Sequence, residues 1–165
     1  MSSPVEEILF RKPSIRDGRA VHQLISQSPP LDLNSVYSYY LLSDHFQDSC
    51  VIAEKNGQVV GFLSAYPVPQ RPDTLFVWQV VVSAELRGQH LAARMLDSVL
   101  ERLGEAVHFV EATVNPSNMA SRKLFESLAR KHQTQVQESV YLQAEDFGPA
   151  AAHESEILFR IPLNA

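Results

Sequence analysis

Cysteine is nearly missing from the sequence, which has a single one, Cys50, among 165 residues. One cysteine excludes an intrachain disulfide and any metal site built from several thiolates. Cys50 begins the apolar run Cys50-Val-Ile-Ala53, which indicates a buried structural thiol, with a nucleophile as the alternative. Long apolar runs are missing too. A membrane-spanning helix requires roughly 20 consecutive apolar residues, and no apolar stretch of this sequence approaches that length. We therefore expect neither disulfides nor a membrane span.

Basic residues are fewer than acidic ones, at 14 against 19, and the net charge is -5 at pH 7. Proteins that bind nucleic acids carry basic patches, so a nucleic-acid partner is disfavoured and a cationic small molecule is the more natural one. The segment before Ile8 has no basic region followed by an apolar run, so it does not resemble a secretory signal. We expect a cytoplasmic protein.

The composition is that of a soluble globular domain, with 45% hydrophobic and 20% charged residues. A chain of 165 residues is long enough for one domain with a substantial core and short for two. It contains no internal repeat, low-complexity segment or linker-like stretch. We therefore predict a single domain over residues 1–165.

Hydrophobic periodicity divides the chain into strands and helices. Runs rich in β-branched and aromatic residues predict strands, and apolar residues three and four positions apart predict helices. The predicted strands are 8–11, 50–54, 59–66, 76–82, 107–114, 136–142 and 157–162. The predicted helices begin near Ser14, at Asn34 or Ser35, at Leu91 and near Pro116.

Local polar motifs predict where several elements begin and end. Ser14 and Asp17 have the spacing of a capping box, and Gly104 is placed to end the helix from Leu91. Asn56-Gly57 between two apolar runs predicts a tight hairpin turn. The three prolines within 67–73 argue against a central strand there.

The strand at 76–82 leads directly into the helix that begins at Leu91. The first amides of such a helix have no partners within it, and the helix dipole is positive at that end. The junction Arg87-Gly88-Gln89-His90 therefore predicts an anion site suited to phosphate.

The segment Arg87-Gly88-Gln89-His90-Leu91-Ala92 resembles the acetyl-CoA pyrophosphate loop of the GNAT superfamily of N-acetyltransferases, whose pattern is Gln/Arg-x-x-Gly-x-Gly/Ala. The order of elements resembles the same fold over nearly the full length, which implies an α/β (α+β) fold with a mixed central sheet flanked by helices. His90 stands where the superfamily usually has its middle glycine, and a position in the first helical turn would tolerate that change.

The resemblance implies acetyl-CoA as co-substrate and no metal. The amides from Arg87 to Ala92 would hold the pyrophosphate, and the main chain of Val80 and Val82 would run beside the pantetheine arm. The Val80 N–H would stabilise the tetrahedral oxyanion of acetyl transfer.

The segment Asn118-x-Ala120-Ser121-x-x-Leu124-Phe125 resembles the second cofactor helix of the superfamily. The resemblance implies that Asn118 contacts the pantetheine arm and that Phe125 replaces the tyrosine near the sulfur. A phenyl ring has no proton to donate, so the usual general acid is missing from that position.

Three further stretches resemble the L-2,4-diaminobutyrate acetyltransferase family: Pro29-Pro-Leu-Asp-Leu-Asn-Ser35 with Tyr37, Arg71-Pro-Asp-Thr-Leu-Phe-Val-Trp-Gln-Val80, and His153-Glu-Ser-Glu-Ile-Leu158. This resemblance implies acetylation of the 4-amino group of L-2,4-diaminobutyrate in the synthesis of ectoine, a compatible solute of osmotic stress. It also implies a homodimer. The implied substrate contacts are Asp32, Tyr37, Trp78, His153 and Glu156.

Acetyl transfer to an amine requires a proton acceptor. An amine with a pKa of about 10.4 is unprotonated in only about one molecule in 2,500 at pH 7, a deficit of roughly 4.6 kcal/mol. The candidate bases are Glu156, Glu154, His153 and Asp32. Strict strand alternation would separate His153 from Glu156, so they can face one substrate only if the strand begins after His153 or contains a bulge.

Several alternatives remain open from the sequence. Trp78 fits core packing as well as contact with a cationic chain, and His153 alone also fits a structural role. The substrate is alternatively another cationic amine, such as a diamine, polyamine or aminoglycoside. The departures at His90 and Phe125 suggest, as a different class, a non-catalytic acetyl-CoA-binding module.

Overall fold

The computed structural model describes residues 7–150 and 152–164. Its strands are β1 (Leu9–Arg11), β2 (Val51–Lys55), β3 (Gln58–Val68), β4 (Arg71–Val82), β5 (Phe109–Val114), β6 (Gln137–Leu142) and β7 (Glu156–Pro162). Its α-helices are α1 (Gly18–Ser26), α2 (Val36–His45), α3 (Leu91–Leu103) and α4 (Met119–Lys131). The strand order is β1-β2-β3-β4-β5-β7-β6. Because β4 and β5 are parallel whereas β5 and β7 are antiparallel, the predicted mixed sheet is confirmed.

The chain forms two compact units, one of residues up to Tyr66 with Gln79–Gly104 and the other of Pro67–Trp78 with the residues from Glu105 onward. The prediction of a single domain over 1–165 stays a prediction. No helix in the described part of the chain has the length and apolar character to cross a membrane.

The first unit is built around a cluster of apolar side chains from α1, α2, β2 and β3. Its fully buried members include Val21, Tyr39, Ile52 and Phe62. Cys50 belongs to the same cluster and its thiol lies 3.5 Å from the Ala65 carbonyl oxygen, to which it donates. Burial raises the pKa of this thiol to about 11. The interpretation of Cys50 as a buried structural thiol is confirmed.

Two predicted motifs of the first unit have the expected geometry. Asn56 and Gly57 both have positive φ, at 52° and 76°, as the tight turn between β2 and β3 requires. Helix α3 runs from Leu91 to Leu103 and ends at Gly104, whose φ is 59°. Both predictions are confirmed. Each concerns residues adjacent in sequence, so local preferences were enough to predict it.

The second unit contains a buried charged cluster around Glu111 on β5, whose exposed fraction is 4%. Its carboxylate accepts from Arg71 of β4 at 2.8 Å and from Arg160 of β7 at 2.6 Å. The guanidinium of Arg160 also lies over the ring of Phe109, 3.8 Å from its centroid. The cluster thus links three neighbouring strands, and each buried charge has a partner.

The interpretation that the prolines within 67–73 argue against a strand is corrected here. Pro67 lies within β3 and Pro72 within β4, so only Pro69 and Gln70 form the turn between them. Prolines are compatible with strands at the ends next to a turn, where a missing N–H removes no central hydrogen bond.

The capping box at Ser14 and Asp17 is confirmed and includes a third residue. Asp17 accepts from the Ser14 N–H at 2.7 Å, and Arg11 donates to both carboxylate oxygens at 2.8 and 2.9 Å. Burial alone would raise the pKa of Asp17, but the hydrogen bonds from Arg11 and Ser14 outweigh it and hold that pKa below its ordinary value. The charged carboxylate therefore stabilises the folded state.

We expect Asp17→Asn to lower the free energy of unfolding by about 2 kcal/mol, since it removes charge-assisted hydrogen bonds at a buried position. The folded pKa is depressed, so the stabilisation is present above the ordinary carboxyl pKa of about 3.9 and is lost as pH falls through the folded value. Urea unfolding at pH 7 and at pH 3 measures both effects. Asp48→Asn is the control, because its ion pair with Lys12 is exposed and contributes little. An equal loss in the two variants would contradict the expectation.

Candidate active site

The junction between β4 and α3 has the backbone geometry of an anion site. Gly88 and His90 both have positive φ, at 83° and 57°. The side chain of His90 makes no capping hydrogen bond to the first turn of α3. Residues Arg87 to His90 are exposed, and the helix begins at the buried Leu91, which is followed by the half-buried Ala92. The first amides of α3 are thus available to an anion such as a pyrophosphate.

The expectation for His90 is wrong in one respect. His90 does not lie in the first helical turn but precedes the helix as its N-cap, in the left-handed region with φ 57° and ψ 26°. Glycine adopts this conformation without steric cost, which explains the glycine pattern of the superfamily. Histidine is among the residue types that enter the region more readily than most.

The last residues of β4 belong to the first unit and include both valines of the candidate cofactor strand. Val80 and Val82 are half-buried. The residue before Val80, Gln79, donates its backbone N–H to the hydroxyl of Ser64 at 3.1 Å. The Ser83 N–H donates to the Val60 carbonyl at 2.8 Å. These bonds fix the main chain on both sides of the two valines.

The loop before α2 and the first turn of that helix each carry one candidate substrate contact, both in the first unit. Asp32 is exposed, and Tyr37, in the first turn of α2, has an exposed fraction of 67%. Ser35 caps the helix by accepting from the Ser38 N–H, which decides between the two predicted capping residues. The carbonyl oxygen of Asp32 accepts from the Gln79 side chain at 2.7 Å, so the loop is tied to β4.

Trp78, on the part of β4 that belongs to the second unit, has an exposed fraction of 44%. That exposure does not fit the core-packing alternative. The ring therefore remains a candidate contact for a ligand.

His153 and Glu156 lie close together in the second unit. Strand β7 begins at Glu156, after His153, so strand alternation does not separate the two side chains. This is the first of the two arrangements that would let them face one substrate. Nε2 of His153 lies 3.8 Å from Oε1 of Glu156. Asn115, which follows β5, donates from Nδ2 to the same oxygen at 3.0 Å. The carboxylate is thus held beside the ring by a neutral donor.

The orientation of His153 is set by two contacts. Its ring stacks on Phe147 with the centroids 3.7 Å apart and the planes at 14°. Nδ1 lies 2.6 Å from the carbonyl oxygen of Glu154, and because a carbonyl only accepts, Nδ1 carries the hydrogen. Nε2 is then the ring nitrogen on the side of Glu156.

Glu154 and Asn118, the remaining polar candidates, make local contacts. The carboxylate of Glu154 accepts a short hydrogen bond from the hydroxyl of Ser117. Asn118 caps α4 by accepting from the Ser121 N–H at 3.1 Å, which leaves its Nδ2 group as a donor. Phe125 is buried, with an exposed fraction of 3%.

Sequence reasoning missed Asn115, Phe147 and Gln79. A polar residue directly after a buried strand was an available signal for Asn115. Phe147 carries no such signal, because its stacking depends on the path of the chain between β6 and β7. Among residues 7–150 and 152–164, no group of three or more His, Cys, Asp or Glu side chains has the arrangement of a metal site.

Comparisons with known proteins agree on one family. The family model described as Acetyltransferase (GNAT) family matches residues 19–129. The L-2,4-diaminobutyric acid acetyltransferase of Bordetella parapertussis is 47% identical over 154 residues, which are 92% of this chain and 82% of that protein. The enzyme of the same name from Marinococcus halophilus is 44% identical, and the matched region covers 95% of this chain and 91% of that enzyme.

A solved structure is similar over almost the whole chain. It is the diaminobutyrate acetyltransferase EctA from Paenibacillus lautus, in complex with its substrate L-2,4-diaminobutyric acid and coenzyme A. The TM-score is 0.91 and the identity 44%, with 97% of this chain and 98% of that chain covered. A chain of the NatC complex bound to Gag peptide and CoA, 16% identical with a TM-score of 0.75, shares the fold alone.

Proposed function

Because the chain belongs to the acetyltransferase (GNAT) family, and is thus an N-acetyltransferase, we propose that it transfers the acetyl group of acetyl-CoA to the 4-amino group of L-2,4-diaminobutyrate. The assignment of this substrate rests on the 44% identity, over 97% of this chain, to an enzyme whose structure was solved with that diamine and coenzyme A. The substrate carries two ammonium groups, which suits the net charge of -5.

The residues of the β4–α3 junction fit the cofactor. We propose that the amides from Arg87 to Ala92 hold the pyrophosphate, because the first turn of α3 has no cap from His90 and the segment is exposed. A Cβ at Gly88 would contact nothing within 4 Å, so the backbone there is open to a ligand. The main chain of Val80 and Val82 would bind the pantetheine arm. Asn118 and Phe125, in the second unit, are proposed as cofactor contacts on the resemblance of their segment alone.

The chemical step is attack of the neutral amine on the thioester carbonyl. We propose that Glu156 accepts the proton from the ammonium, directly or through a water molecule, and that His153 receives it at Nε2. The Val80 N–H is proposed to stabilise the oxyanion of the tetrahedral intermediate. Phe125 has no proton to give, so the departing thiolate takes its proton from solvent or leaves as the anion.

The other groups of the diamine need their own contacts. Asp32 is proposed to bind the second ammonium, since its carboxylate is exposed and its main chain is tied to β4. Tyr37 offers a hydroxyl from the first turn of α2, and the exposed ring of Trp78 offers a face to the cationic chain.

The experiment that tests this function follows thiol release from acetyl-CoA with L-2,4-diaminobutyrate, ornithine, lysine, spermidine or no amine. We expect diaminobutyrate to give much the highest kcat/KM, and NMR of the product to place the acetyl group on the 4-amino nitrogen. A clear preference for another amine would overturn the substrate while keeping the chemistry. Cofactor binding without amine-dependent release would instead indicate a non-catalytic module.

We also propose a cytoplasmic homodimer that acts in ectoine synthesis under osmotic stress. Strand β7 lies between β5 and β6, so both of its edges are already paired within the chain. Strand β6 is one of the two edge strands of the sheet, and its residues Val140, Tyr141 and Leu142 have exposed fractions of 60%, 60% and 37%. Pairing of two such edges would cover these side chains. A monomeric mass by light scattering at micromolar concentration would contradict the proposal.

A further inference from the structure

Gln79 is a buried polar residue of β4, with an exposed fraction of 6%, and both ends of its side-chain amide are used. Its Oε1 accepts from the hydroxyl of Tyr39 at 3.0 Å. Its Nε2 donates to the carbonyl oxygen of Asp32 at 2.7 Å. Gln79 therefore connects the core of the first unit to the main chain of the loop before α2.

Tyr39 extends the same connection to a second point of the loop. The residue is fully buried, and its hydroxyl accepts from the N–H of Asn34 at 3.2 Å and from its Nδ2 at 3.3 Å. With the donation to Gln79, every hydrogen-bonding site of this hydroxyl is filled. The loop is thus held at Asp32 and at Asn34, on both sides of Leu33.

These bonds determine where the Asp32 carboxylate lies, because the side chain is exposed and its position follows that of its main chain. A side-chain amide can donate to a carbonyl and accept from a hydroxyl at the same time. Glutamate would set a carboxylate against the Asp32 carbonyl, and leucine would leave that carbonyl and the Tyr39 hydroxyl without their partner.

We infer that Gln79 is a positioning residue for diamine recognition, which fixes the loop so that the Asp32 carboxylate is held ready for an ammonium group. The inference rests on the proposed function, since it takes Asp32 as the ammonium contact. Prior fixation of a binding group lowers the conformational cost of binding. Loss of Gln79 should therefore weaken the diamine and leave acetyl-CoA binding unchanged.

The test measures the KM of each substrate, kcat and the melting temperature for Gln79→Leu, Gln79→Glu and Tyr39→Phe. We expect the KM for diaminobutyrate to rise about tenfold in each variant, with the KM for acetyl-CoA unchanged. Calorimetric titration of diaminobutyrate in the presence of coenzyme A should show the same loss of affinity. Tyr39→Phe keeps the aromatic ring in the core, so it provides the test if Gln79→Leu fails to fold.

The matched control is Thr74→Val, which removes a buried hydroxyl from the same strand without touching the loop. It should leave the KM for the diamine unchanged. A parallel change of both KM values and kcat in the Gln79 variants, or an equal effect of Thr74→Val, would mean general destabilisation and would overturn the inference.

Combination with Asp32→Asn separates positioning from a direct effect. If Gln79 acts through Asp32, the tenfold effect of Gln79→Leu should largely disappear when Asp32 is already replaced. Full additivity would overturn the inference. Failure of Asp32→Asn itself to alter diamine binding would count against the proposed function, which keeps the two failures distinguishable.

Discussion

Glu156→Gln is expected to lower kcat about 10²- to 10⁴-fold, the usual contribution of a positioned proton acceptor. Glutamine has nearly the same shape and keeps an oxygen for the Asn115 donor at 3.0 Å, so the loss comes from basicity and charge. The KM for acetyl-CoA should be unchanged. Steady-state rates with diaminobutyrate across pH 6 to about 10 measure the effect, and the deficit should shrink as pH approaches the amine pKa of about 10.4.

Glu154→Gln is the matched control for this prediction. The two acids are two residues apart, but the Glu154 carboxylate contacts the Ser117 hydroxyl, whereas that of Glu156 contacts His153 and Asn115. The control should retain most of the wild-type rate. If Glu156→Gln keeps the wild-type rate across pH, Glu156 is not the base. If only Glu154→Gln loses activity, Glu154 is the base instead.

Asp32→Asn is expected to raise the KM for diaminobutyrate roughly 10- to 150-fold, since a charge-assisted hydrogen bond contributes about 1.5–3 kcal/mol. The backbone bond from Gln79 to the Asp32 carbonyl does not depend on the side chain, so the loop should keep its position. The value of kcat at saturating diamine should change much less. Initial rates with each substrate varied in turn separate the two parameters.

Asp44→Asn tests whether the effect of Asp32 is specific. Asp44 is an exposed acid on α2, and its nearest ionisable partner is His45 at 3.7 Å. Removing its charge changes the net charge of the enzyme as much as Asp32→Asn does. Similar increases in KM for the two variants would indicate a general electrostatic effect, and an unchanged KM in Asp32→Asn would exclude it as an ammonium contact.

Features that depend on neighbouring residues could be predicted from the sequence. The Asn56-Gly57 turn and the bounds of α3 follow from local conformational preferences and one apolar stripe. The prolines at 67 and 72 misled the prediction because their effect depends on where each strand ends, which the composition of the segment does not specify.

Features that depend on where a strand begins, or on contacts between residues distant in sequence, could not be predicted. The pairing of His153 with Glu156 depends on the residue at which β7 begins, and periodicity locates such a boundary only within a few residues. The bonds of Gln79 to Asp32 and of Asn115 to Glu156 join residues 47 and 41 positions apart. The left-handed conformation of His90 depends on how the chain enters α3. The glycine that the superfamily usually has at this position was the one available sign of a positive φ.

The burial of Cys50 makes the folded enzyme unreactive toward mild thiol reagents. Its sulfur is fully buried and its pKa is about 11, so at neutral pH the nucleophilic thiolate is both scarce and inaccessible. Any sulfhydryl that a chromogenic disulfide reagent detects during turnover is therefore coenzyme A product. In a Glu101→Cys variant, the new thiol on the exposed face of α3 would be the one position open to a label.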